Sequence, residues 1–396
     1  MYEPHSLDLD MSALRTTYAY VSKIEHRLKS AAALLSVSEN TLRTTLTESE
    51  IEIRRANQDN PNAPAVRLFD LATIFAIAEY RRTKKLSKSL EGKKPVIIAV
   101  EIIKGGTAKS TTACEVGVQL QLQGLKVLLI DIDIQANLTQ LMGYEADLSE
   151  EEAEAYDLSQ EAIVKGTFAT ICAPLVDRQA RTVDAKTVIK YPFGPSGPAL
   201  IPSDTYFGDL EQSIAKSTGP RELFFQRVFN ESMAGRLPGL DISDFDVVIF
   251  DCPPSVSFVA TNAIAAADII VAPVKMESFS VKGLSKLVSE MNSLASVYPN
   301  NIKNAELVIL PTYYSTNLPR VGRMQERLSQ YRDHISPSSI SQSEEFPKAI
   351  EMYLPLTLTK PTCQPVKEYR MFVDYLIKKI QTVSKAKEQA DARTAA

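Results

Sequence analysis

The sequence predicts an α/β fold, a mostly parallel sheet with helices on both faces, preceded by an α-helical winged helix-turn-helix region. Three observations carry this. The apolar runs from VIIAVEII (96–103) onward are rich in β-branched residues and continuous, as in strands buried on both faces. Stretches of helical pattern separate them, the arrangement of successive βαβ units. The first ~90 residues lack any long strand-like run.

The chain has 396 residues, 44% of them apolar, enough for two or three domains and a large core. A net charge of −4 gives no global field toward DNA or an anionic membrane, so any nucleic-acid contact must be local. Cys114, Cys172, Cys252 and Cys363 form no C-x-x-C pair, which fits a reducing cytoplasm. His5, His26 and His334 are too scattered for a histidine metal site. No signal peptide or membrane span is visible, so a soluble intracellular protein is expected.

In chain order, HRLKSAAALLSVSENTLRTTLTES (26–49) reads as a helix, a turn at Ser36-Val37-Ser38, and a second helix capped by Ser38. Asn40, Thr41, Arg43 and Thr44 fall on the exposed face of the second helix, with Leu42 and Leu46 buried. Short polar side chains with an arginine suit base edges and phosphates; a plain helical hairpin is the alternative. Residues 64–85 read as a short wing and a helix with a basic end (Arg81, Arg82, Lys84, Lys85), either a phosphate contact or a solvated terminus. KSLEGKKP (88–95) reads as a linker with nothing to bury.

After the first strand, STTACEVGVQLQLQG (110–124) reads as a helix stopped by Gly124, and KVLLIDIDIQ (126–135) as the second strand. Residues 147–162 are acidic and solvated. Further strands are expected in 198–203, 245–255, 267–274 and 305–314, and a helix with a fraying basic end in 365–396. Sites belong at the strand C-termini.

IIKGGTAKSTT (102–112) joins the first strand to its helix. Glycine is scarce, 15 residues in all, yet Gly105 and Gly106 sit together here. Their backbone amides can approach a ligand closely, and Thr107, Ala108, Lys109, Ser110, Thr111 and Thr112 carry the chain into a helix N-terminus that favours an anion. Lys109 can reach β- and γ-phosphates and the Ser110 hydroxyl can ligate Mg²⁺. A Gly-Gly turn with a stray lysine is the alternative. Asp251, ending FDVVIFD, is costly to bury without a cation; its alternative is a helix N-cap or turn residue before Pro253-Pro254. Asp131 and Asp133 add two carboxylates that need a metal, a lysine or a water to order them.

Together these segments resemble the ParA/MinD ATPases. KGGTAKST is similar to their deviant Walker A loop, K-G-G-x-x-K-[ST], in which the position of Ala108 varies. The resemblance implies a P-loop NTPase fold for residues 95–396 and hydrolysis of ATP to ADP with Mg²⁺. It assigns Lys104 as the signature lysine reaching the partner's phosphates in a nucleotide-sandwich homodimer, Asp133 as the water-orienting aspartate, and Ser110 and Asp251 as the metal pair. Ile134 stands where the family has proline. Pro311, Thr312 and Tyr313 match a stretch near the adenine.

With its long front, the chain resembles the larger plasmid-partition members. That implies a dimerisation helix within 1–25, a winged helix-turn-helix domain over 26–90, operator binding with autorepression, non-specific DNA binding on the nucleoid through Arg320 and Arg323, and a centromere-binding ParB-type partner. For the arginines a solvated helix face is the equal alternative. Other readings of the whole are a MinD-like membrane-cycling ATPase, a nucleotide-responsive repressor, and an iron–sulfur reductase; the tail is too polar for the first and the cysteines too dissimilar in context for the last.

Overall fold

The computed structural model describes residues 24–57, 66–90, 92, 94–177, 179–204, 208–216, 219–276, 280–302, 304–314 and 326–395. Its central sheet holds six strands: β1 (Val96–Val100), β2 (Val127–Asp131), β3 (Ala199–Ile201), β4 (Val247–Asp251), β5 (Ile269–Lys275) and β6 (Glu306–Thr312). Their order is β6-β5-β1-β4-β2-β3, and every pairing is parallel. The chain therefore builds one half of the sheet after β1, inserts β4 beside it, and crosses to the other side with β5. That reversal opens a crevice at the C-terminal end of β1.

Each expected strand is present but shorter than its apolar run. The run 126–135 leaves the sheet after Asp131, because the Asp131 carboxylate accepts hydrogen bonds from the loop that follows. Both faces of the sheet are covered. Val96, Ile98 and Val100 point into one core, which they share with helices α4 (Lys109–Leu122) and α6 (Gln364–Ala395); Ile97 and Ala99 point into the other. The second core is aromatic. Phe168 meets Phe225 edge-on at 5.0 Å, and Phe225 stacks on Phe250 at 5.3 Å.

The front contains α1 (Leu28–Leu34), α2 (Glu39–Ser49) and α3 (Leu71–Thr83). Ser36 turns the chain in the left-handed region at φ 53°, doing what glycine would do, and Ser38 caps α2 by accepting from the Thr41 amide at 3.0 Å. Two short antiparallel pairs complete it, Glu25–His26 with Phe69–Asp70 and Arg55–Ala56 with Val66–Arg67. The expected helix over 1–25 lies outside the described residues as far as residue 23, and Glu25 is strand.

Residues 88–95 bury more than their composition suggests. Leu90 packs on the first core, the Gly92 amide donates to Ser384 Oγ at 3.2 Å, and Lys94 pairs with Asp391 at 2.8 Å, so the segment is strapped to α6. The front shares the core of the sheet: α3 lies on α4, Phe75 stacks on Phe193 at 5.9 Å, and His26 Nε2 is hydrogen-bonded to the Leu358 carbonyl at 2.9 Å. Gly124, at φ 96°, ends α4 where a Cβ would lie 2.2 Å from Ser87 Oγ. The helix α6 extends as far as Ala395; Phe372, Leu376 and Ile380 are buried and Val383 packs at the core's edge, while residues 391–393 are exposed.

Candidate active site

The loop after β1 curls over the C-terminal edge of the sheet. Gly105 and Gly106 are exposed at its crest, and Gly106 needs its glycine for a φ of 68°. Ala108, the departure from the common pattern, adopts φ 71° and caps α4. A left-handed alanine costs roughly 1–2 kcal/mol, so the conformation is kept although the residue that suits it is absent. Thr107 is buried, and its carbonyl accepts from Thr312 Oγ1 at 3.2 Å, which ties the loop to the end of β6.

Lys109 is only 7% exposed. Its ammonium donates to the carbonyls of Lys104 at 3.0 Å and Ile102 at 3.3 Å, so it sits inside the curl of the loop. Lys104 is half-buried. Thr112, expected to help present free amides, does not: its N–H is bonded to the Ala108 carbonyl at 2.9 Å and its hydroxyl to Tyr369 at 3.0 Å. The helix opening that remains is Lys109 to Thr111.

Three carboxylates meet beneath the loop. Asp131 and Asp251 are partners in the β2–β4 register, and both are fully buried. Asp131 is satisfied without any metal or lysine. It accepts from the Asp133 amide at 3.1 Å, the Thr139 amide at 2.9 Å and the Thr139 hydroxyl at 2.7 Å, although burial still pushes its pKa up to about 7. Its work is to shape the turn that carries Asp133. Asp133 accepts from the Gln135 amide at 3.0 Å and is nearly buried; burial raises its pKa, with Lys109 acting against that.

Asp251 differs. Neither of its buried oxygens has a hydrogen-bond partner, so the turn or N-cap alternative falls away. Burial, then the Asp131 carboxylate, drive its pKa well above the ordinary range, while the neighbouring Ser110 hydroxyl and Lys109 oppose the rise without satisfying it. A buried carboxylate without donors must either keep its proton or have a cation beside it, and the Ser110 hydroxyl next to Asp251 suits the second.

Two adjoining cavities open from the loop. One is lined by Gly105 to Thr111 together with Asp133, Asn137 and Pro254. The other runs past Thr312 and Tyr313 to the 340–347 segment and Tyr369. Tyr313 and Ile350 belong to both. The Lys275 ammonium sits 4.6 Å from the centre of the Tyr313 ring and steadies it. Pro311 lines neither cavity; it lies in β6 and its carbonyl accepts from the Ile340 amide at 2.8 Å.

The second candidate surface is on the front. Asn40, Thr41, Arg43 and Thr44 are all exposed on α2, with Leu42 buried and Leu46 half-buried. Arg43 reaches Glu39 only at 4.0 Å. Of the basic end of α3, the two arginines are spent on structure: Arg81 donates to the Leu86 carbonyl and Thr45, and Arg82 to Glu79 and Asp246, while Lys84 and Lys85 are exposed. Arg320 and Arg323 lie outside the described residues.

A family model described as an AAA domain matches residues 95–304. A ParA family protein of Chlamydia muridarum is 32% identical over 211 residues, 53% of this chain and 70% of the relative. This chain belongs to the ParA family of P-loop ATPases. The sporulation initiation inhibitor protein Soj of Bacillus subtilis is 27% identical across 69% of this chain and 94% of its own length. Among solved structures, a putative plasmid partition protein of Borrelia burgdorferi, bound to AMPPNP, superposes with a TM-score of 0.52 at 22% identity, over 72% of this chain and 99% of that one. Within this ParA-family chain, the matching region contains the loop, β2, β4 and β5.

Four features escaped the sequence reading. Glu115, in the middle of α4, is buried and accepts hydrogen bonds from the Leu356 amide at 2.6 Å and from the Thr357 amide and hydroxyl. The 340–347 wall and Tyr369 are far from the loop in sequence and carried no signal. Arg55 and Arg67 face each other across the short ladder. Glu101 was visible as the single charge inside VIIAVEII, and only the apolar pattern around it was read.

Proposed function

We propose that this ParA-family chain is a DNA-partition ATPase. It binds ATP in the crevice after β1, closes as a homodimer that coats non-specific DNA on the nucleoid, and is released by hydrolysis that a centromere-binding partner stimulates. The front binds an operator and represses the chain's own operon. The observation that carries the reading is Asp251, buried and without donors beside Ser110, Lys109 and Asp133.

The donor set fits Mg²⁺. The Ser110 hydroxyl and the Asp251 carboxylate would hold the ion, which when bound neutralises charge on the β- and γ-phosphate oxygens. Lys109 would exchange its two loop carbonyls for phosphate oxygens. Asp133, held by the Asp131-shaped turn, orients the attacking water, and the base lies along Tyr313 and the 340–347 wall. Ile134, Val256, Phe258 and Ile350 are exposed apolar residues near this mouth, which supports a face that a second copy covers and across which Lys104 reaches the partner's phosphates. Membrane cycling through an amphipathic helix is disfavoured because the apolar stripe of α6 is consumed in the core.

For operator binding, the support is the exposed polar face of α2 and the Arg55–Arg67 pair. Like charges directly opposite on a ladder are unfavourable unless an anion lies between them, as a DNA phosphate would. DNA binding on random and operator duplexes, each with ATP, ADP and no nucleotide, tests the reading. ATP should be required on random DNA, and ADP should serve best on the operator. Arg43→Ala should weaken operator binding about tenfold to a hundredfold and leave random-DNA binding unchanged. Equal loss on both duplexes would remove α2 from the operator contact.

A further inference from the structure

We infer that Glu101 is a positioning residue for the phosphate-binding lysine: it keeps its proton while a nucleotide is bound, and when ionised it competes with the phosphates for the Lys109 ammonium. The inference rests on the reading of the crevice as a nucleotide site. Glu101 directly follows β1, and its amide is fixed to the Val271 carbonyl at 3.0 Å. It is fully buried, and neither carboxylate oxygen has a hydrogen-bond partner of good geometry. The Ile102 and Lys104 carbonyls that hold Lys109 belong to the next residues of the same loop.

Four groups from the surrounding elements act on it. Lys109 from α4 draws it toward the carboxylate form, as does the Cys252 thiol that follows β4. Glu290, on the helix α5 (Ser280–Val297), and Asp133, beyond β2, push the other way. Burial, the largest effect, outweighs the lysine and the thiol and moves the Glu101 pKa up to about 8. Cys252 is itself shifted well upward by burial and does not ionise near that pH. Glu290 is engaged by the Thr261 hydroxyl.

A carboxylate at this point cannot be solvated, and the charge that most favours its ionised form is the Lys109 ammonium. A bound polyphosphate adds negative charge over the same lysine and makes ionised Glu101 less favourable still. Nucleotide binding near pH 8 therefore takes a proton from solvent onto the Glu101 carboxylate, and above that pH the phosphates and Glu101 contend for one ammonium. As the acid, Glu101 leaves the whole charge of Lys109 to the ligand.

The test is MgADP affinity between pH 7 and pH 9 for wild type and Glu101→Gln. Wild-type affinity should fall about tenfold across this range, while the variant, which cannot ionise, changes by less than twofold. Calorimetry of wild type at pH 8 in HEPES and in Tris should show net proton uptake on binding, and this readout does not depend on the variant folding. Parallel pH profiles in the two proteins, or no proton uptake, would overturn the inference while leaving the nucleotide site standing. No MgADP binding at any pH would overturn both.

Discussion

Replacing Lys109 with alanine should lower nucleotide affinity by a hundredfold to a thousandfold while the protein stays folded. The ammonium is buried in the loop and already held by two carbonyls, at 3.0 and 3.3 Å, so it is pre-placed where phosphate oxygens would arrive. Each charge-assisted hydrogen bond is worth about 1.5–3 kcal/mol, and two of them account for a loss of that size. The loop itself keeps its shape through anchors that do not involve the lysine, the Thr312–Thr107 bond and the αL turn at Ala108. Equilibrium titration with a fluorescent ATP analogue measures the effect. Wild-type affinity in the variant would mean that phosphates do not sit in the crook of this loop.

The largest effect on stability should come from Glu115→Ala. Glu115 is 2% exposed in the middle of the loop's own helix and takes the Leu356 amide, the Thr357 amide and the Thr357 hydroxyl. Gln119, one turn on, adds a bond to Thr357 Oγ1 at 2.8 Å. Together they fasten the Leu356–Thr359 helix, and the chain beyond the 340–347 wall, to α4. Truncation leaves buried donors without an acceptor and should cost about 3–5 kcal/mol.

That cost carries a pH signature. Burial raises the Glu115 pKa from 4.5 to about 7, against the pull of its donors. Below pH 4.5 the folded and unfolded chains both hold the proton. Between 4.5 and 7 the unfolded chain ionises first, so wild-type stability falls as pH rises and then levels off. Alanine does not titrate. The gap between wild type and variant in chemical denaturation should therefore be widest at pH 4.5–5 and narrower at pH 8. A gap that widens with pH would mean that the donors, and not burial, set the charge of Glu115.

The sheet was legible because its signal is local. Six short apolar runs, most of them rich in β-branched residues and separated by helical patterns, read as buried strands, and the Lys104-to-Ser110 loop announces itself by two glycines in a glycine-poor chain. The burial of Asp251 was legible for a related reason, since it ends an apolar strand. What failed to show was whatever depends on distant pairing. Asp131 looked like a charge in need of a metal, a lysine or a water, and Thr139, eight residues on, supplies two of its three donors. Arg81 and Arg82 looked available to phosphates, and the partners that occupy them include the Leu86 carbonyl and Asp246. Residues 88–95 looked like a tether because their partners, Ser384 and Asp391, lie at the far end of the chain.

The most direct test is phosphate release from saturating MgATP by the full chain, wild type beside Lys104→Gln. The account predicts slow, magnesium-dependent release by wild type that random DNA does not abolish, and release at background by the variant, which still binds nucleotide as a monomer. Equal rates in the two proteins, or no release by wild type, would contradict it.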